Sequence, residues 1–181
     1  EKDDEKACEL FCKAAAQGLP RAAYFAGKCY DNAYGVEENP EEAFRYYLQA
    51  AEGGYDDAMH QTGICYYFGH GTEQNDEKAV EWLRRAADEG IAASICRLGL
   101  CYELGRGVEE DLSRACELYR EAGEKGLAEA QCNLGWMYRT GRGVEQSFEK
   151  AVYWYEKAAE QGQARAQYLL GVCCENGRGI P

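Results

Sequence analysis

The apolar and polar positions of this chain recur every 36 residues, and inside each period the apolar ones follow helical spacing. In residues 127–162, Ala130, Leu134, Met137 and Tyr138 fall at i, i+4, i+7 and i+8, which is one face of a helix. Gly141 and Gly143 then interrupt the pattern, since glycine supplies the backbone angles a tight turn needs. A second face follows at Ala151, Trp154, Tyr155 and Ala158, and Gly162 ends it. The unit reads as helix A, a glycine turn, helix B and a glycine stop.

The same punctuation repeats along the chain. Gly27, Gly63, Gly99, Gly135 and Gly171 keep the interval, as do Tyr30, Tyr66, Tyr102 and Tyr138, with Cys174 in the fifth place. Ala43, Ala79, Ala115 and Ala151 form another column, and Ala50, Ala86, Ala122 and Ala158 a further one. Small residues let helices approach closely, and Tyr or Trp fills the space they leave. One such hairpin cannot bury its apolar face alone, whereas stacked neighbours can. The predicted fold is therefore all-α: an α-solenoid, wound as a right-handed superhelix of antiparallel helix pairs. It is expected as a single array over 1–181, with a half repeat (helix B) at 3–18, full repeats at 19–54, 55–90, 91–126 and 127–162, and a half repeat (helix A) at 163–181.

The pattern A-x-x-x-L-G-x-x-Y-x-x-G-x-G-V followed by K-A-x-x-W-Y-x-K-A-A-x-x-G resembles the Sel-one-like repeat family, relatives of the tetratricopeptide repeats. Residues Ala130 to Val144 and Lys150 to Gly162 carry it most fully, and Ala33, Ser94 and Gly123 are the main departures. The resemblance implies an adaptor that holds partner proteins or peptides on a curved surface lined by helix A. Some bacterial relatives are secreted, cysteine-rich and linked to penicillin binding or weak β-lactamase activity, so the resemblance implies that reading as the alternative.

Charge narrows the partner. The formal net charge is −12, which disfavours nucleic acid, whose affinity rests on Lys and Arg neutralising phosphates, and disfavours anionic membrane surfaces. No apolar run reaches the ~18 residues of a membrane span. The expected partner is a protein or peptide, basic and apolar in character. The chain reads as an excerpt of a longer protein and as a monomer, with unfinished apolar faces at both ends through which copies could associate end to end.

The candidate contact surface lies in the helix A columns that vary. One holds Lys28, Ile64, Leu100, Trp136 and Val172; another Tyr24, His60, Cys96, Cys132 and Tyr168; two more run through Asp31, Tyr67, Glu103 and Arg139, and through Asn32, Phe68, Leu104 and Thr140. His60, Ile64, Tyr67, Phe68, Leu100, Leu104, Trp136 and Arg139 are the residues expected to meet a partner, because apolar and aromatic side chains in otherwise variable columns mark interfaces.

No catalytic residue, cofactor or metal is expected, and the chain is not read as an enzyme. His70 sits in a turn column that elsewhere holds Arg106, Arg142 and Arg178. No His pair has metal spacing, and no Ser-x-x-Lys nucleophile of the serine β-lactamase kind is expected. The Gly-x-Gly turns follow helices and lack the strand and Lys of a phosphate loop. Ten cysteines are present, four of them (Cys29, Cys65, Cys101, Cys173) in one column with Met137, which is how Cys behaves as a small core hydrophobe. Equivalent positions in stacked helices lie ~8–10 Å apart, too far for a disulfide. Reduced core thiols favour a cytoplasmic location over a secreted or periplasmic one.

Overall fold

The computed structural model describes residues 3–179. Among them the regular structure is entirely helical: α1 (Asp4–Ala16), α2 (Pro20–Asp31), α3 (Pro40–Glu52), α4 (Asp56–Phe68), α5 (Asp76–Asp88), α6 (Ala92–Leu104), α7 (Leu112–Glu124), α8 (Ala128–Thr140), α9 (Phe148–Glu160) and α10 (Ala164–Glu175). Even-numbered helices are the A helices and odd-numbered ones the B helices. They form two compact units, Glu1–Ile91 with α1–α5 and Ala92–Pro181 with α6–α10. Within each unit every helix packs chiefly on its neighbours in sequence.

Each B helix starts at a side-chain cap. Asp3, Asn39, Asn75, Asp111 and Ser147 accept the backbone N–H three residues on, from Lys6, Glu42, Lys78, Arg114 and Lys150. Such a cap contributes about 1 kcal/mol by satisfying a donor that the first helical turn leaves open. The backbone N–H groups of Asn39, Asn75, Asp111 and Ser147 in turn donate to the carbonyls of Tyr30, Tyr66, Tyr102 and Tyr138, tying each B helix back to its A helix.

Between them lies the glycine turn, whose first glycine is left-handed (Gly69 φ 72°, Gly141 φ 70°). Ala33 takes that place in the first full repeat and adopts the same region, φ 54°. The turn survives: Tyr34 N–H donates to the Cys29 carbonyl at 2.9 Å, as His70 does to Cys65. Holding an L-residue there costs on the order of 1 kcal/mol.

The alanine columns Ala43, Ala79, Ala115, Ala151 and Ala50, Ala86, Ala122, Ala158 are wholly buried. Helix A meets helix B at the glycine column. A methyl group on Gly27, Gly99 or Gly135 would lie 2.7, 3.0 or 2.6 Å from the ring of Tyr47, Tyr119 or Tyr155, and one on Gly63 would lie 2.8 Å from Leu83. These four B-helix side chains are among the most deeply buried in the protein, each contributing on the order of 2 kcal/mol through burial. At the amino-terminal end, Leu10, Phe11, Leu19 and Phe25 line a largely apolar groove of about 460 Å³ on α1 and α2.

Candidate functional site

Four of the expected contact residues lie on α4 of the first unit. Phe68, in its last turn, is 60% exposed; His60 and Ile64 are half-buried. Tyr67 is only 4% exposed and meets Phe68 edge-on at 4.9 Å between centroids, so its side chain belongs to the core. The other four lie in the second unit. Leu104 ends α6 at 53% exposure and Leu100 is half-buried. On α8, Trp136 and Arg139 are half-buried and stack on each other, the guanidinium 4.5 Å from the ring centroid. The column of Asn32, Phe68, Leu104 and Thr140 is thus solvent-facing throughout, whereas the column of Lys28, Ile64, Leu100 and Trp136 lies half in the fold.

A polar arrangement runs beside these columns. The Tyr47 ring crosses helix A at Gly27, and its hydroxyl donates to Asp31 Oδ2 at 2.9 Å, four residues further along the same helix face. The His70 ring, from the next glycine turn, has Nε2 2.7 Å from the other oxygen, Asp31 Oδ1. In the second unit Tyr119 crosses at Gly99 and donates to Glu103 Oε2 at 2.8 Å, while Arg142 of the next turn donates to Glu103 Oε1 at 2.9 Å. Each station therefore consists of a tyrosine, a carboxylate and a turn side chain, His70 or Arg142, on the second carboxylate oxygen. Burial and then the adjacent carboxylate raise the Tyr47 and Tyr119 phenols far above their ordinary range, which keeps the hydroxyls protonated as donors.

Sequence reasoning missed these stations because it read the glycine, tyrosine, acid and turn columns separately. The clue was the spacing: a Gly, an acid four residues later, a Tyr sixteen after the acid and a His or Arg thirty-nine after it. His70, read as a solvated turn residue, is a member of one.

The thiols are placed as core atoms. All ten cysteines are free; eight are buried, Cys12 is half-buried and Cys174 is exposed. Desolvation raises Cys65 and Cys96 to about 12 and Cys116 to about 11, so these sulfurs stay protonated and unreactive at neutral pH. Among the described residues no group of three or more His, Cys, Asp or Glu side chains is arranged to hold a metal ion. One correction concerns nucleophiles. Ser147-Phe148-Glu149-Lys150 does have Ser-x-x-Lys spacing. Its Ser147 is the cap of α9, accepting the Lys150 backbone N–H at 3.2 Å, and the Lys150 ammonium lies 5.3 Å from the Tyr138 ring centroid. Equivalent caps are Asn75 and Asp111, so the serine serves the helix start.

Comparison with known proteins agrees with this architecture. The Sel1 repeat family model matches residues 1–19, 20–55, 56–91, 92–127, 128–163 and 164–181. The crystal structure of a Sel1 repeat protein from Oxalobacter formigenes is 35% identical with a TM-score of 0.93, over 100% of this chain and 72% of that one. The protein c5321, described as a protective antigen present in uropathogenic Escherichia coli strains and displaying an SLR fold, is 33% identical with a TM-score of 0.90. That match spans 97% of this chain but only 38% of the Escherichia coli protein. Helicobacter pylori cysteine rich protein B is 26% identical with a TM-score of 0.59, over 74% of this chain and 96% of that one. No curated protein matches the chain.

Proposed function

The chain belongs to the Sel1 repeat family, and from that premise we propose that it is a protein- or peptide-binding scaffold, not an enzyme, that meets its partner on the A helices. The family's repeats are α-solenoids that generally serve protein interactions. One observation carries the reading to a surface. Phe68 and Leu104 occupy the same solvent-facing column of their repeats and are 60% and 53% exposed, although each is large, apolar and placed at the last residue of a helix. An exposed apolar residue carried on a helix is suited to anchor a partner. With a net charge of −12, a partner presenting Lys or Arg beside its apolar anchors is favoured at these positions.

The test is site-specific photo-crosslinking in native lysate. A benzophenone amino acid replaces Phe68, Leu104 or, as a control on a B helix, Tyr153, which is 50% exposed. The scaffold reading expects the same protein to be captured from positions 68 and 104 and not from 153. Capture from 153 alone moves the binding face to the B helices and overturns the assignment.

A further inference from the structure

The third tyrosine station is built differently. Tyr155 crosses helix A at Gly135 as Tyr47 and Tyr119 cross theirs. Four residues after the glycine, where the other stations hold Asp31 and Glu103, stands Arg139, and the turn position of His70 and Arg142 is taken by Arg178. Two donors occupy places built around an acceptor. The consequence is visible in the hydrogen bonding: the Tyr155 hydroxyl and Arg139 Nε are both buried and neither has a partner. Tyr155 itself is 0% exposed. Leaving such donors unsatisfied is costly, and native proteins rarely do so without a ligand or a functional reason.

Other guanidinium groups converge on the same region. Arg165 lies 6.0 Å from the Trp136 ring centroid, on which Arg139 also stacks, and donates to Asn133 Oδ1 at 3.2 Å. Burial raises the Tyr155 phenol, and Arg139 and Arg165 both oppose that rise; Arg139 and Arg178 likewise oppose the rise that burial imposes on the Cys173 thiol. Among the described residues none of the three arginines forms an ion pair with an acid, and Glu129, the acid acting on the nearby Cys132 thiol, is exposed.

We propose that the Arg139 station is a receptor for a carboxylate carried by a peptide partner, whose two oxygens take the roles that Glu103 Oε1 and Oε2 take at the preceding station. One oxygen accepts from the Tyr155 hydroxyl and the other from guanidinium N–H groups of Arg139, with the charge of Arg165 beside them. The planar two-oxygen shape fits because Tyr119 and Arg142 already hold Glu103 in that way, one donor to each oxygen. Arg139 is only half-buried, so its guanidinium is reachable from solvent while Nε and the Tyr155 hydroxyl lie beneath. Reaching the phenol requires Arg139 to rotate away from the Trp136 ring on which it stacks, a contact that the new ion pair must offset. Trp136 supplies an apolar wall for the residue beside the carboxylate. The inference rests on the scaffold reading and gives its partner one anchor of stated chemistry, an acid at the second unit.

The experiment is a titration of the full ¹⁵N-labelled chain, following the Arg139 Nε–Hε resonance by NMR. Four probes are added separately: an acetylated Ala/Leu pentapeptide with a free carboxyl end, the same peptide amidated, an amidated version with a central Glu, and inorganic phosphate. A saturable shift with the free-acid or the Glu peptide, absent with the neutral amide, supports the receptor and identifies whether a chain end or a side chain supplies the carboxylate. Tyr155→Phe should then weaken binding about tenfold, the loss of one hydrogen bond to a charged group. Arg139→Glu restores the internal acid of the other stations and should abolish binding, followed in that variant by the Trp136 indole N–H resonance, while the chain stays folded. No saturable shift with either acid, an equal shift with the neutral amide, undiminished binding by Arg139→Glu, or a response to phosphate alone overturns the proposal. The lysate capture at positions 68 and 104 reads the scaffold without involving Arg139, so the two ideas fail separately.

Discussion

The Glu103 and Arg139 stations stand one repeat apart in the second unit and share the same tyrosine, glycine and turn geometry. Tyr119 finds an acceptor at 2.8 Å, and Tyr155 finds none. Yet the two rings are equally buried. The difference shows that the fold depends on the ring and the glycine it crosses, while the position four residues after the glycine is open to change. Repeat architecture permits this because each unit is held by its neighbours over a wide apolar interface, against which one hydrogen bond of about 1 kcal/mol is small.

The largest expected effect tests the shared half of the comparison. Gly99→Ala and Gly135→Ala push a methyl to within 3.0 and 2.6 Å of a ring atom and should each cost about 2 kcal/mol in urea denaturation, the range of overpacked cores. Gly171→Ala meets nothing within 4 Å and should be neutral or stabilising by up to ~1 kcal/mol through helix propensity. If all three behave alike, the rings are not seated as described and the stations lose their common basis.

The next effect separates the stations. Tyr119→Phe leaves the Glu103 carboxylate, a half-buried acceptor, with only Arg142, and should destabilise by about 1–2 kcal/mol. Tyr155→Phe removes a hydroxyl that bonds nothing and should change stability by under ~0.5 kcal/mol, or raise it. Equal losses in thermal or urea unfolding would mean that Tyr155 has an acceptor after all.

The repeat, the helix pairs and the buried Ala and Cys columns could all be read from spacing, because each is set by helix contacts that recur from unit to unit. The contact surface could be read less well. Tyr67 and Phe68 are adjacent aromatic residues in equally variable columns, but a helix turns about 100° per residue, so one faces the core and the other the solvent. The stations were harder still: Gly99, Glu103, Tyr119 and Arg142 come from three elements, and only their juxtaposition reveals that the acid has two partners. The B-helix caps Asn39, Asn75, Asp111 and Ser147 had a readable signal, since they share the 36-residue step, but their differing side chains hid a common role as acceptors.

The smallest effect concerns pH, and here the two phenols should behave alike. Both are raised above the ordinary tyrosine value of 10.0, Tyr119 by burial and then by Glu103, Tyr155 by burial against the opposing charge of Arg139. A phenol raised on folding is neutral in both states below pH ~10, so its contribution is fully present there. Above that pH the unfolded chain loses the proton first, and stability falls until the folded phenol also ionises. The wild-type chain should therefore lose stability as pH rises beyond about 10. Tyr119→Phe and Tyr155→Phe should each flatten that loss by a similar amount, since both folded phenols stay protonated beyond this range and only ionisation of the unfolded chain is felt there. Urea midpoints compared at pH 8 and about pH 10.5 for the two variants would check it. A variant that leaves the loss unchanged would show that its phenol is not raised on folding and that the ring is not seated in the core as described.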